Sequence, residues 1–183
     1  MQTSGNFNNR FIRKLQARVL EIPYGKIGEN RYSMFFFLPA QGTSLTKVIE
    51  KMKKVNLAQI KKSLAEFGVS EVVAEVPRFK ITSDLSKLKD VLADMGLRAM
   101  FDEEHARFMK ISYETLFVSN FIQKANIEVT EEGTVASAAT KADFSFRSSP
   151  EEFTFNKPFL FMIVDNKYDI PIFIGAYSKP SEY

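Results

Sequence analysis

The stretch Thr115–Pro150 reads TLFVSNFIQKANIEVTEEGTVASAATKADFSFRSSP and consists of two unlike parts. The first, Thr115–Val129, is rich in β-branched and aromatic residues, which predicts an extended strand of unusual length. The second, Glu131–Pro150, has no apolar period, and a loop of this length inside a compact domain indicates a functional segment. We interpret it as a loop that can also form a strand, because alternation would place its small side chains on one face. These side chains are Thr134, Ala136, Ala138 and Thr140.

The residues on both sides of this stretch predict an α+β fold in which most strands are antiparallel. Period-two or continuous apolar patterns predict strands at Leu15–Ile22, Ser33–Leu38, Ser70–Ser83, Pro158–Val164 and Ile170–Tyr177, with Pro77 dividing the third. Apolar residues at helical spacing predict three helices. These are Leu45–Lys53 after a Ser44 cap, Leu57–Phe67 after an Asn56 cap, and Leu85–Met95.

Composition excludes several classes of function. Lys and Arg total 25 and Asp and Glu 22, and a net charge of only +3 argues against nucleic-acid binding. Zero Cys excludes disulfides, thiolate zinc sites and thiol catalysis, while a single His argues against a metal site and imidazole catalysis. No apolar run reaches membrane-spanning length, and no nucleophile–base pair or phosphate-binding loop occurs. We therefore expect no membrane association, no metal or other cofactor, and no enzyme activity.

Several motifs resemble the serpin family of serine protease inhibitors, with the spacing between motifs intact. Val118–Thr140 is similar to the family's strand and reactive-loop hinge, and Phe155–Val164 with Ile172–Pro180 to its C-terminal signature. Further matches are LEIPYG (Leu20–Gly25), FFFLP (Phe35–Pro39), VPRFKITSDLSKLKDVLADMGL (Val76–Leu97) and AMF (Ala99–Phe101). The chain is identified as the C-terminal portion, residues 1–183, of a single serpin domain with its reactive loop at about residues 131–150. The resemblance implies mainly antiparallel sheets, a few helices and an exposed loop, incomplete relative to the family fold.

The resemblance also implies a suicide-substrate inhibitor. The target protease forms an acyl-enzyme on the loop, and the cut loop inserts as a strand into a sheet and distorts the protease. Counts from Glu131 and back from Phe155 both place the scissile bond at Arg147–Ser148, and Arg before the bond implies a trypsin-like protease. The implied hinge comprises Glu131, Glu132, Gly133, Thr134, Ala136, Ala138, Ala139 and Thr140. Glu131 would pair with Arg78 on a neighbouring strand; the alternative is two unpaired surface charges.

The sequence departs from the family pattern at two positions. Val135 replaces the usual acid, and alternation would point it to solvent, where it should matter little. Gln123 replaces the usual His in the sheet-opening region, which puts pH-sensitive or family-typical opening in doubt because Gln gains no charge. The single His105 follows three acids, and this cluster fits a solvated turn better than a metal site.

Two functions remain open. The first is a component of an inhibitory serpin, which the small hinge residues favour. The second is a non-inhibitory serpin-like protein or an inactive truncated fragment, which the absent half favours for this chain. Met1 resembles an internal methionine of the family, so we expect a fragment, a mis-started reading frame or one piece of a two-piece molecule. The missing N-terminal half would then be a partner. We expect a secreted protein although the chain carries no signal peptide, and the alternative is an intracellular one.

Overall fold

The computed structural model describes residues 1–25, 31–130 and 150–179. The strands are β1 (Gln2–Ile12), β2 (Ala17–Pro23), β3 (Tyr32–Pro39), β4 (Val69–Glu75), β5 (Phe79–Leu85), β6 (Gln123–Val129), β7 (Glu151–Thr154), β8 (Phe159–Asp165) and β9 (Ile170–Tyr177). The helices are α1 (Leu45–Met52), α2 (Leu57–Phe67) and α3 (Leu88–Asp94), followed by a 3₁₀ turn at Ala99–Phe101. None of the helices in these ranges is long and apolar enough to cross a membrane.

Seven strands form one sheet in the order β7-β4-β1-β2-β3-β8-β9. The long strand β1 pairs with β4 from Gln2 to Asn8 and with β2 from Asn8 to Ile12, so it belongs to both halves of the sheet. The pairs are antiparallel except β4–β7, which is parallel. The predicted α+β fold with mainly antiparallel sheets is confirmed.

Strand β3 lies at the centre of the core, with both of its faces buried. Phe35 and Phe37 point to the side covered by α1 and α2, where Val48, Ile60 and Leu64 are buried against them. On the opposite face, aromatic rings form a second cluster. Its members are Phe36, Phe79, Phe153, Phe155, Phe159, Phe161 and Tyr177. Each fully buried large side chain contributes about 1.5–3 kcal/mol, which explains the use of so many Phe residues.

Local signals place the first two helices correctly. The Ser44 hydroxyl accepts a hydrogen bond from the Lys47 amide at 3.3 Å, and the Asn56 side chain accepts one from the Gln59 amide at 2.8 Å. Gly68 ends α2 with a φ of 79°, which Gly adopts at little cost. The third helix begins at Leu88 rather than at the predicted Leu85, because Leu85 is still part of β5.

One predicted strand begins later than expected, and two strands were missed. The predicted strand Thr115–Val129 begins only at Gln123, because the preceding backbone bonds to a turn: the Val118 amide donates to the Met100 carbonyl at 2.8 Å. Strands β1 and β7 were not predicted. Strand β1 contains many polar residues, so it lacks the period-two apolar pattern that predicts a strand. One of these residues, Asn9, is buried and donates to the Ser70 hydroxyl at 2.6 Å.

The described residues divide into two compact units. One comprises Met1–Phe79 with the described part of the chain from Val129 onward, and contains the seven-stranded sheet with α1 and α2. The other comprises Lys80–Glu128 and contains most of the β5–β6 pair, α3 and the 3₁₀ turn.

Gly175 on β9 allows the ring of Phe161 on β8 to lie directly against the β9 backbone. A Cβ atom added at Gly175 would lie 2.2 Å from the Phe161 Cζ atom, and that ring is buried among other aromatic residues. We expect Gly175→Ala to lower the free energy of unfolding in urea by about 1–3 kcal/mol through overpacking. The control is Gly5→Ala, whose Cβ would meet the half-buried Phe7 ring at 3.1 Å and which should cost less. Equal effects of the two variants would contradict the close contact.

Candidate functional site: the two anchors of segment 131–149

The structure describes the strands on either side of the predicted reactive loop. The reactive-bond residues Arg147 and Ser148 lie outside the described residues. So do all the predicted hinge residues: Glu131, Glu132, Gly133, Thr134, Ala136, Ala138, Ala139 and Thr140. Arg78 is described and exposed between β4 and β5, but its expected partner Glu131 is not. The two strands that flank this loop along the chain are therefore described separately: β6, the upstream anchor, and β7, the downstream anchor.

The upstream anchor β6 pairs with β5 in a two-stranded sheet. Three pairs of side chains connect them: Lys80–Glu128 at 3.4 Å, Thr82–Asn126 at 3.4 Å and Asp84–Lys124 at 3.7 Å. The residue numbers run in opposite directions, so the strands are antiparallel, and the alternating positions put these polar side chains on one exposed face. Gln123, which the resemblance places in the sheet-opening region, is the exposed first residue of β6.

The other edge of β6 pairs with no strand in the ranges that the structure describes. An unpaired edge presents a row of backbone N–H and C=O groups to which a further strand can add. The unit around β6 also exposes large apolar side chains, among them Met95, Ile111 and Tyr113. Such exposure is typical of a surface that another part of a protein covers. This anchor can therefore bind a further strand through backbone hydrogen bonds.

The downstream anchor β7 is a four-residue strand at the end of the large sheet. It pairs with β4 from Val72↔Glu151 to Glu75↔Thr154, and the Phe155 amide donates to the Glu75 carbonyl at 2.9 Å. Phe153 is buried, whereas the other three residues of the strand are exposed. The attachment of β7 therefore rests on few contacts.

Arg18 on β2 contacts three consecutive residues of β7. Its Nη2 atom lies 3.0 Å from the Glu151 carboxylate, and its Nη1 atom donates to the Glu152 carbonyl at 2.9 Å. The guanidinium carbon lies 3.8 Å from the centre of the Phe153 ring. Sequence reasoning missed this residue. An Arg in a half-buried strand was the only signal, and nothing in the sequence indicated partners so far along the chain.

The acidic turn around His105 is organised by local hydrogen bonds. One carboxylate oxygen of Asp102 accepts from the Glu104 amide at 2.9 Å and the His105 amide at 3.1 Å, and lies 3.0 Å from the His105 Nδ1 atom. The His105 side chain, followed by these amides, holds the pKa of Asp102 below its usual value. In the described ranges no three potential ligands cluster as a metal site would require. The turn geometry accounts for this cluster.

Comparisons with known proteins give a consistent result. The family model described as Serpin (serine protease inhibitor) matches residues 1–180. Human Serpin B13 is 36% identical and human Serpin B4 37% identical, each over 98% of this chain and 46% of the relative. The crystal structure of Manduca sexta serpin-12 superimposes with a TM-score of 0.75 at 24% identity, over 98% of this chain and 45% of that one. The chain thus spans about half the length of the curated relatives it matches.

Proposed function

Because this chain belongs to the serpin family of serine protease inhibitors, we propose that the full-length protein inhibits a trypsin-like protease that attacks Arg147–Ser148. The observation that carries the proposal concerns β6. One edge of this strand pairs with no other strand among the described residues, and the chain continues directly from β6 into a segment of small residues. A strand whose edge can accept a partner, joined to a segment able to be that partner, is the arrangement that loop insertion requires.

The proposed reaction uses the chemistry of the protease. The protease serine bonds to the carbonyl carbon of Arg147, and the peptide bond to Ser148 breaks as the Ser148 amine takes up a proton. The Arg147 guanidinium fits a pocket with a buried Asp, which gives the trypsin-like preference. Residues up to Arg147 are then held to the protease by an ester and are no longer tied to β7.

Insertion follows the cut. The freed segment adds to β6 as a new strand, and its unpaired backbone groups form ladder hydrogen bonds worth about 1 kcal/mol net each. Gly133 and Thr134 begin this step, since Gly supplies backbone freedom and Thr is small and favours strands. The Arg78–Glu131 pair would fix the point at which the loop leaves β6. The protease is carried along with the segment, and its active site is distorted before the ester can hydrolyse.

The chain of 183 residues supplies only part of this molecule. We propose that the N-terminal half of the full-length protein is its partner, because relatives are about twice as long and the unit around β6 exposes apolar side chains. For the 183-residue chain alone, the proposed function is a cleavable but non-inhibitory molecule. We place the full-length inhibitor outside the cell on the resemblance alone.

Limited digestion tests the position of the reactive bond. We expect trypsin to cut the native chain first at Arg147–Ser148 and to release, on denaturation, a piece of mass corresponding to Ser148–Tyr183. The matched control is Arg147→Gln, which removes the charge that trypsin binds and should abolish this early cut while leaving later cuts unchanged. Early cleavage at Lys61, Arg78 or Lys110 in the unsubstituted chain would contradict the proposal.

A further inference from the structure

A cleft of about 340 Å³ lies between α2 and the tight turn that joins β1 to β2. Arg10, Arg13 and Lys14 line it from the side of β1 and the turn, and Gln59 and Ser63 line it from α2. We propose that this cleft binds a compact ligand that carries two or more phosphate or sulfate groups. The proposal does not depend on protease inhibition.

The cleft is positively charged because its cations outnumber its acids. Glu66 is the one carboxylate among its described lining residues, and two cations already approach it: the Arg10 Nη1 atom lies 3.9 Å and the Lys62 Nζ atom 4.0 Å away. Arg13 and Lys14 are exposed and form no ion pair with a carboxylate in the described part of the chain. Their two positive charges are therefore available to an anion.

The turn holds Arg13 and Lys14 on a fixed backbone. Ile12 before them and Leu15 after them are buried in the core. The Leu15 amide donates to the Ile12 carbonyl at 3.0 Å and the Gln16 amide to the Arg13 carbonyl at 3.1 Å, and these two bonds close the turn. An anion that binds there has to order only the two basic side chains, because the backbone that carries them is already in place.

Arg10 supplies a third cation, whose position is set by contacts with α2. Its Nη1 atom donates to the Ser63 carbonyl at 2.9 Å, and its guanidinium carbon lies 5.2 Å from the centre of the Phe67 ring. A guanidinium has five N–H donors, so these contacts leave donors for a ligand. Arg10 lies on β1 and the other two cations on the turn, so a ligand with two anionic groups can contact both parts of the wall.

The size and the remaining lining of the cleft limit what the ligand can be. Its volume of about 340 Å³ lies near the lower end of the range for small-molecule sites, roughly 300–1,000 Å³. Val55 and Ile60 give part of the lining an apolar character. A phosphate group carries three acceptor oxygens, so one group can contact several cations at once. A phosphorylated or sulfated sugar or cyclitol combines such groups with a carbon ring that the apolar side chains can contact.

Titration calorimetry on the full-length protein tests the proposal. The probes are inositol hexakisphosphate and sucrose octasulfate, which present phosphate and sulfate groups on a small carbon skeleton, and citrate is the carboxylate control. We expect saturable one-to-one binding of at least one probe, and the tighter of the two identifies the preferred group. The affinity should fall as the salt concentration rises. Citrate should bind at least about tenfold more weakly, because it offers less charge and fewer acceptor oxygens.

Two double variants locate the binding. Arg13→Gln/Lys14→Gln should weaken probe binding at least about tenfold, the effect of losing one hydrogen bond to a charged group. The matched control, Lys47→Gln/Lys53→Gln, removes the same charge from exposed positions that do not line the cleft, and should change the affinity by less than about twofold. Chemical acetylation gives a second measurement: bound probe should slow the modification of Lys14 and leave that of Lys47 unchanged.

Each other outcome decides against the proposal. Failure of both probes to bind saturably would overturn it. Equal losses of affinity in the two double variants would mean that the probes respond only to the net charge of the protein. Binding of citrate as tight as that of the probes would contradict the assigned chemistry. Binding that leaves the acetylation of Lys14 unchanged would mean that the ligand occupies another part of the surface.

Discussion

Full-length protein carrying Thr134→Arg will be cut at Arg147–Ser148 as before but will release the protease active. In the proposed mechanism Thr134 enters the sheet early, on the face that Ala136 and Ala138 share. An unpaired guanidinium buried there costs several kcal/mol, which slows insertion by orders of magnitude. Hydrolysis of the acyl-enzyme then precedes trapping. We expect the number of inhibitor molecules consumed per protease inactivated to rise at least about tenfold, since 1.4 kcal/mol already corresponds to that factor.

The neighbouring residue provides the control for this experiment. Val135→Arg places the same side chain one position along, where alternation directs it to solvent. Its stoichiometry of inhibition should stay close to that of the unsubstituted protein, and both variants should be cut at the same rate at Arg147. If Val135→Arg raises the stoichiometry as much as Thr134→Arg, the alternating inserted strand is wrong.

The purified 183-residue chain will form no detergent-stable complex with a trypsin-like protease, although it will be cut. In the proposed mechanism, insertion requires a strand on each side of the new one. Strand β6 supplies one of these two strands, and we expect the other in the missing N-terminal half. About half of the new ladder hydrogen bonds then have no partner, each worth about 1 kcal/mol net. Trapping therefore loses about half of the hydrogen bonding that drives it, and the ester hydrolyses first.

The measurement is a denaturing gel of protease mixed with the chain, beside the same mixture with full-length protein. A band of covalent-complex size from the 183-residue chain would refute the requirement for a second flanking strand. Adding the separately produced N-terminal half should restore the band if the two halves reassemble. The exposed edge of β6 should also make the chain alone prone to associate with itself, which light scattering would detect.

Sequence reasoning predicted well those parts of the fold that depend on interactions between residues close together in the chain. The caps Ser44 and Asn56 act three residues along the chain, and the run Met34–Leu38 is apolar enough to require burial on both faces. Strand β1 was missed because its polar residues are matched by partners far away, as Asn9 is by Ser70. Pairing on both edges overrides the weak β-propensity of such residues.

In the candidate site too, sequence reasoning predicted some features and missed others. Residue types predicted a loop able to become a strand, and the family resemblance then selected Arg147 and Ser148 within it. The contacts of Arg18 could not be predicted, since its partners Glu151, Glu152 and Phe153 approach it only once the sheet has formed. A charged side chain in a strand carries no information about distant partners until the topology is known.

The place of β8 in the large sheet has a consequence for biosynthesis. Although it comes late in the chain, β8 pairs directly with β3, placing Phe161 beside Phe36. A ribosome therefore releases β1, β2 and β3 long before the strand that completes the core around them. The nascent chain exposes Phe35, Phe36 and Phe37 during that interval, when contacts between distant segments close slowly and exposed apolar surface favours aggregation. Translation speed and chaperone access during synthesis should thus govern how much of this protein reaches its native state.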